Sequence, residues 1–293
     1  MNVSSGAPYP INRLDCANSF GAPVYHAKTL SSTMDAARRL AAEGAPHGTV
    51  IAADFQEAGR GRTGGRSWLG DAGDNLFFTV LLRYGSFASI PAALTLRTGL
   101  AVSLAIEDLV PPLAGLVRIK WPNDVLILLP GGARKTAGIL CESDGSAVFI
   151  GIGVNIRQKE FPPAFRHKAT SLNLSLGELS LEGLGDSRFA LLELILDRLR
   201  RELEGAENPG PDISAGGEKG PVLCPGDTWR ERLEKRLYMK GEPVRFIAGG
   251  ADSGLLVEGL LWGAGPGGEL LILCPGGEER SFITGELDLW GQR

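Results

Sequence analysis

Leu116-Val-Arg-Ile-Lys120-Trp-Pro-Asn-Asp124-Val-Leu-Ile-Leu-Leu129-Pro-Gly-Gly-Ala133-Arg-Lys135-Thr-Ala-Gly-Ile-Leu-Cys141-Glu142 contains three strand-like runs separated by two turns. The runs are Leu116 to Lys120, Val125 to Leu129 and Thr136 to Glu142. Leu129-Pro-Gly-Gly-Ala133 reads as a hairpin turn between the last two. In the first turn Pro122 removes a backbone donor and stiffens the chain, which pre-orders the residues around it. Three strands in succession predict a sheet.

On either side of this block the pattern continues. Ala147 to Ile156 adds an apolar strand after it, and Leu76 to Leu82 and Thr49 to Asp54 add two before it. Helical spacing of Met34, Ala37, Leu40 and Ala41 follows Ser31-Ser32-Thr33, so Ser32 or Thr33 is the expected N-cap and Gly44 the stop. Pro91 to Leu109 reads as a long helix with proline in its first turn, and Ser187 to Leu203 as an amphipathic helix closing the mixed part. Residues 205–220, rich in Gly, Pro, Asp and Glu, read as a flexible insertion. A short helix, Asp227 to Leu237, comes next. Beyond it lie only short β segments: Pro243 to Ile247, Leu255 to Leu261, Glu269 to Leu273 and Ser281 to Ile283. They predict a small β-barrel docked on the main unit. The expected division is 1–236 and 237–293.

The 293-residue chain is 43% hydrophobic and 22% charged, with a net charge of −4. It has no bulk basic surface for nucleic acid or an anionic membrane, so phosphate chemistry must come from local Arg and Lys. Its four cysteines form no CxxC pair, and three histidines cannot complete a structural zinc site. The N-terminus shows no basic region followed by an apolar run, so free thiols in a cytoplasmic protein are expected. The apolar stretch Pro91 to Pro112 carries Arg97, Glu107 and Asp108, which reads as a buried helix and not a membrane span.

Three motifs carry chemistry. Gln56 to Trp68 interleaves Arg60, Arg62 and Arg66 with glycines directly after a strand. Glycine permits close backbone approach to an anion, and arginine offers bidentate bonds to carboxylate or phosphate. Its formal Gly59-x-Gly61-x-x-Gly64 match fails as a dinucleotide fingerprint because loop, not helix, follows. Lys120 to Asp124 sets an amide, Asn123, beside a carboxylate, Asp124, four residues after a lysine, which suits a magnesium–phosphate site. Lys135 enters a strand in which Gly138 leaves room for a ligand or another backbone. Taken singly, each has a bland alternative: a solvated basic loop, an Asn-Asp turn and an exposed edge lysine.

Together these residues resemble the biotin–protein ligase family. Ser31-Ser-Thr-Met-Asp35 is similar to its Ser-Thr-Asn opening, Gln56 to Trp68 to its Gly-Arg-Gly-Arg biotin loop, and Lys120-Trp-Pro-Asn-Asp124 and Lys135-Thr-Ala-Gly-Ile-Leu140 to two further motifs. Gly151-Ile-Gly-Val-Asn-Ile156, Thr170-Ser-Leu172, Gly241-Glu-Pro-Val-Arg245 and Gly285-Glu-Leu287 follow the pattern to the C-terminus. The resemblance implies an α+β fold: a mixed β-sheet with helices on one side, like a class II aminoacyl-tRNA synthetase, plus an SH3-like C-terminal barrel.

It also implies ATP-dependent activation of biotin as an acyl-adenylate and transfer to a lysine of a biotin carboxyl carrier protein. Ser32, Thr33 and Gln56 would bind the ureido group; Gly59, Arg60, Gly61 and Arg62 would close over the valeryl chain and carboxylate. Lys135, beside Gly138, would contact carboxylate and α-phosphate and stabilise the oxyanion. Asn123 and Asp124 would meet ATP phosphates and Mg²⁺, with Lys120 also catalytic and Asp124 orienting or deprotonating the amine. Trp68 and Asn155 would flank the adenosine. Two positions depart from the pattern: Met34 replaces an asparagine, and the loop is one residue longer with Thr63 in place of an arginine. About thirty residues precede Ser32, which predicts no winged helix and no DNA partner; a homodimer is left open. The competing readings are a biotin-binding relative with weak or lost ligase chemistry, and a lipoate ligase or octanoyl transferase.

Overall fold

The computed structural model describes residues 10–62, 68, 70–145, 147–178, 187–204, 228–249 and 254–288. The expected insertion at 205–220, Cys224, and the loop positions Thr63 and Arg66 lie outside the described residues. The elements run β1 (Asn12–Leu14), β2 (Val24–Leu30), α1 (Thr33–Ala42), β3 (Thr49–Gln56), β4 (Asn75–Arg83), α2 (Leu94–Leu109), β5 (Val117–Lys120), β6 (Asp124–Leu129), β7 (Gly132–Asp144) and β8 (Ala147–Asn155). They continue with α3 (Leu172–Glu178), α4 (Arg188–Glu204), α5 (Trp229–Glu234), β9 (Pro243–Ala248), β10 (Leu255–Ala264), β11 (Leu270–Leu273), β12 (Glu279–Phe282) and β13 (Gly285–Leu287).

The strand block at the centre of the sequence forms as read: β5, β6 and β7 pair in antiparallel succession. They belong to an eight-stranded sheet of order β1-β2-β3-β4-β8-β7-β6-β5. Of the strand pairs in this sheet among the described residues, that of β2 and β3 is the parallel one, which makes the sheet mixed. Along β4, Leu76, Phe78, Val80 and Leu82 face one core with residues of α2, α3 and α4, while Leu81 faces a second core with Met34, Ala37 and Leu40 of α1. Helices thus cover both faces, which corrects the expected one-sided layer. A largely apolar strand such as β4, buried from Asn75 to Leu82, requires cover on both sides.

Ser32 caps α1 and its Oγ accepts from the Met34 N–H, a contact of about 1 kcal/mol. α2 begins at Leu94, three residues after the predicted proline start, because Ala93 adopts a left-handed backbone (φ 57°). Ala93 also packs against the C-terminal unit: a Cβ on Gly268 would lie 2.7 Å from its Cβ. Residues 87–109 are long and apolar enough to cross a bilayer. In the fold, Leu100, Ala101, Val102, Ala105 and Ile106 are fully buried in the protein core.

The second sheet is antiparallel, of order β12-β11-β10-β9-β13. Its inward residues Val244, Phe246, Val257, Leu261, Leu270, Ile272 and Leu287 share one core with Leu96 and Leu100 of α2, Ile119 of β5 and Trp121. The Trp121 Nε1–H donates to the Gly268 carbonyl at 2.9 Å. α5 is shorter than predicted, since the chain turns to follow β5: Ile119 N donates to Arg236 O and Tyr238 N to Ile119 O. The lysine–aspartate turn is therefore clamped between two cores.

Candidate active site

On the α1 face of the large sheet, Gly138, Gly151 and Gly153 help line a cavity of ≈ 480 Å³. Side chains are excluded there for measurable reasons. A Cβ on Gly151 would sit 2.9 Å from the Met34 Cε, and one on Gly153 would sit 3.0 Å from the Trp68 ring. The space expected beside Gly138 is filled by the Lys135 ammonium and Trp68, which a Cβ there would meet at 2.9 and 3.0 Å. Two side chains of the protein itself, and not another backbone, take up the room that glycine leaves.

At one end of the cavity stand Ser32, Thr33 and Gln56. The Thr33 N–H donates to Gln56 Oε1 at 2.8 Å and the Thr33 hydroxyl donates to the same oxygen at 3.1 Å. Thr79 Oγ1 donates to Thr33 Oγ1 at 2.9 Å. Ser32, Thr33 and Thr79 are buried, so these bonds face little competition from water.

The charged end is produced by an irregularity. Asp124 pairs with Gly138, but Leu126 pairs with Lys135, so β7 carries one extra residue against β6. Without that bulge Lys135 and Gly138, three apart, would face opposite sides of the sheet. With it, both face the cavity alongside Asp124. The Lys135 ammonium reaches Asp124 Oδ1 at 2.6 Å and stands 5.4 Å from the Trp68 ring centroid. Lys135 is further held by its main chain, which bonds Lys168 O and Thr170 N. Lys120 is 2% exposed and lines the same space. Asn123 lines it too, but its Nδ2 donates to Ile139 O at 2.9 Å, holding the turn to β7.

Gly61 and the two loop arginines line the cavity, yet both guanidinium groups are engaged elsewhere. Arg60 Nη2 donates to Asp35 Oδ1 on α1 at 2.5 Å, and Arg62 Nη2 donates to Gly285 O on β13 at 3.0 Å. Gly59 supports the loop from behind: its carbonyl accepts from Trp68 N, and a Cβ there would lie 3.1 Å from Gln56 Nε2. Asn155 donates from Nδ2 to Thr170 O at 3.1 Å. Its Oδ1 is buried with no hydrogen-bond partner among the described residues, a polar atom awaiting a donor. All candidate residues but Gly59 therefore meet in one cavity.

Several lining residues escape a reading of the sequence: Thr79, Gln158, Phe161, Phe165 and Lys168. Thr79 carries a signal, as the one polar residue within Leu76 to Leu82; the others lie in turns, a short 3₁₀ helix (Pro163–Phe165) and irregular chain, with none. Glu286 reaches the cavity from β13. Counted together, Arg60, Arg62, Lys120, Lys135 and Lys168 face Asp124 and Glu286, so a protein of net charge −4 concentrates positive charge here. Among the described residues no three His, Cys, Asp or Glu side chains group as metal ligands. One carboxylate, Asp124, fits Mg²⁺ only in the mode where substrate phosphates and water complete the shell.

Behind the loop, Asp54 Oδ1 accepts from His26 Nε2 at 2.9 Å and Arg188 Nη1 at 2.8 Å. Burial alone would raise the Asp54 carboxyl, but the His26 and Arg188 bonds outweigh it and hold the group below its ordinary value. The Asp54 carbonyl accepts from Gly73 N, so β3 fixes both ends of the arginine loop.

Residues 26–156 match the biotin/lipoate A/B protein ligase family. A biotin–[acetyl-CoA-carboxylase] ligase of Paracoccus denitrificans is 43% identical over 258 residues, covering 78% of this chain and 85% of that one. The bifunctional ligase/repressor BirA of Bacillus subtilis is 38% identical over 163 residues, 53% of this chain and 47% of that protein. The chain thus spans about half the length of such two-function relatives. Among solved structures, a biotin protein ligase from Aquifex aeolicus in complex with biotin and ATP has a TM-score of 0.66 at 27% identity, covering 90% of this chain and 97% of that one. The chain belongs to the biotin–protein ligases of the biotin/lipoate A/B protein ligase family.

Proposed function

We propose that the protein is an ATP-dependent biotin–protein ligase, forming biotinyl-5′-AMP and passing biotin to a lysine of a biotin carboxyl carrier protein. The observation that carries this reading is one cavity holding a polar head, buried Ser32 and Thr33 with half-buried Gln56, and a cationic end around Lys135. The head offers partners to a ureido ring, whose unpaired polar groups would each cost about 1–3 kcal/mol on burial. The cationic end suits a carboxylate meeting a triphosphate, two anions that approach only under charge cancellation.

In the first step a biotin carboxylate oxygen attacks the α-phosphorus and pyrophosphate leaves. Lys135 lies where it can shift from Asp124 to the carboxylate and α-phosphate, and Arg60 and Arg62 add positive charge from the loop. Lys120 lies deeper, and its 2% exposure removes it from bulk screening. Mg²⁺, held by Asp124 and the phosphates, would neutralise charge on the departing pyrophosphate. In the second step the carrier amine attacks the acyl carbon and AMP leaves. Asp124 orients the amine and takes a proton from it, and Lys135 stabilises the oxyanion. Trp68, over Gly138 and Gly153, and Asn155, with its unpaired Oδ1, are assigned to the adenosine. Residues 1–236 are taken as the catalytic unit and 237–293 as its C-terminal companion, supported by the second sheet that β9 to β13 form by themselves.

The test is pyrophosphate release on mixing the protein with biotin and Mg-ATP, followed by streptavidin blotting of a carrier domain. Biotin binding without pyrophosphate would reduce the protein to a binding member, and labelling of the carrier with lipoate or octanoate in place of biotin would move it to the rival enzymes.

A further inference from the structure

One group at the head of the cavity can only donate, and it fixes the direction of every bond around it. The Thr33 backbone N–H meets the Gln56 side chain at 2.8 Å, so the atom facing it is the amide oxygen. The Thr33 hydroxyl lies 3.1 Å from that oxygen and gives its proton to it. Its lone pairs are then left to accept, and Thr79 Oγ1, 2.9 Å away, is the donor. Thr79 is 0% exposed in the middle of β4, where no water competes for its proton.

The consequence reaches the ligand. With Oε1 taken by Thr33, Gln56 keeps the two protons of its Nε2, which lies beside Gly59, to donate. Ser32 Oγ accepts from Met34 N at 3.2 Å, which leaves the Ser32 proton available. Both residues line the cavity, so its head is rich in donors, matched to a carbonyl oxygen.

We propose that Thr79 is a positioning residue for substrate binding: by donating to the Thr33 hydroxyl it holds that hydroxyl on Gln56 Oε1, and so steadies the donor arrangement that selects a ring carbonyl. The inference rests on the biotin reading above. Removing its hydroxyl leaves the Thr33 hydroxyl free to turn away from Gln56, whose Oε1 then keeps only the Thr33 N–H and is held by one bond in place of two.

The experiment compares Thr79→Val, which keeps the volume, with Thr79→Ser, which keeps the hydroxyl. KM and kcat are measured by pyrophosphate release with biotin and with 2-iminobiotin, whose ring carbonyl is replaced by an imine. Thr79→Val is expected to raise the biotin KM about 5- to 10-fold with kcat within about two-fold. Its preference for biotin over the imino analogue should narrow, and Thr79→Ser should restore wild-type values. A folded Thr79→Val with the wild-type biotin KM overturns the proposal. So does a Thr79→Ser variant as impaired as Thr79→Val, since that outcome assigns the effect to packing. If Thr79→Val does not fold, Thr79→Ala against Thr79→Ser gives the same comparison. Wild-type protein that binds biotin but releases no pyrophosphate sinks the ligase activity alone. The Thr79 ratio is then read from calorimetric biotin affinities.

Discussion

The two ends of the cavity are built on opposite plans. At the head, buried hydroxyls of α1 and β4 and a half-buried amide of β3 bond one another in a fixed direction. At the charged end, the groups are half-exposed and occupied by partners that a ligand can replace: Lys135 by Asp124, Arg60 by Asp35, Arg62 by a carbonyl of β13. The head is preorganised, so it discriminates without rearranging. The charged end holds these cations in provisional pairs, which keep them placed before an anion arrives. Recognition and chemistry are thereby assigned to separate sets of atoms, and substitutions at the two ends should separate KM from kcat.

The largest effect is expected from Lys135→Ala. Loss of the cation nearest the reacting anions should lower the rate of pyrophosphate release by about 100-fold or more, with a smaller change in biotin KM. Retained carrier labelling by this variant would remove Lys135 from its assigned role. Gln56→Leu attacks the other end and should do the reverse. It removes the acceptor of two Thr33 bonds and the donor facing the ring, raising biotin KM about 10- to 100-fold with kcat nearly kept. Equal losses of kcat in both variants would erase the contrast between the ends.

A subtler probe lies between them. Gly153→Ala places a methyl 3.0 Å from the Trp68 ring, and the ring must shift off the strands. Nucleotide KM should rise about 3- to 10-fold while biotin KM stays near wild type, since overpacking of this size costs about 1 kcal/mol. An unchanged nucleotide KM would show that Trp68 does not flank the adenosine.

How far the sequence announces these ends also differs. β5, β6 and β7 are legible because each is a short apolar run bounded by turn residues, and Ser32 is legible as a cap because its helix has regular spacing. The Lys135–Asp124 pair is not, since it depends on a bulge that shifts register between Val125 and Leu126. Nothing in residues 133–138 announces it. β2 is hidden for a related reason: its parallel partner β3 lies across a helix, with Val24 opposite Val50, and Val24 to Leu30 mixes His26 and Lys28 into the run. The loop arginines stand out by residue type, but their partners on α1 and β13 are set by tertiary approach.

The smallest expected effect tests whether the loop's anchor belongs to either end. Asp54 ties His26, Arg188 and the loop residue Gly73 together without lining the cavity. Its carboxyl is held below the ordinary value by the His26 and Arg188 bonds, which outweigh burial. A group depressed in the folded state stabilises above its unfolded pKa and loses that contribution as pH falls through the folded value. Asp54→Asn should therefore lower stability by about 1 kcal/mol at pH 7, and the gap from wild type should close in acid, below the usual carboxylate pKa of about 4. Thermal melts of both proteins across that range check the sign. Biotin KM measured on the same samples at pH 7 should match wild type. A raised KM would instead mean that the head is rigid only because Asp54, two residues before Gln56, holds β3 in place.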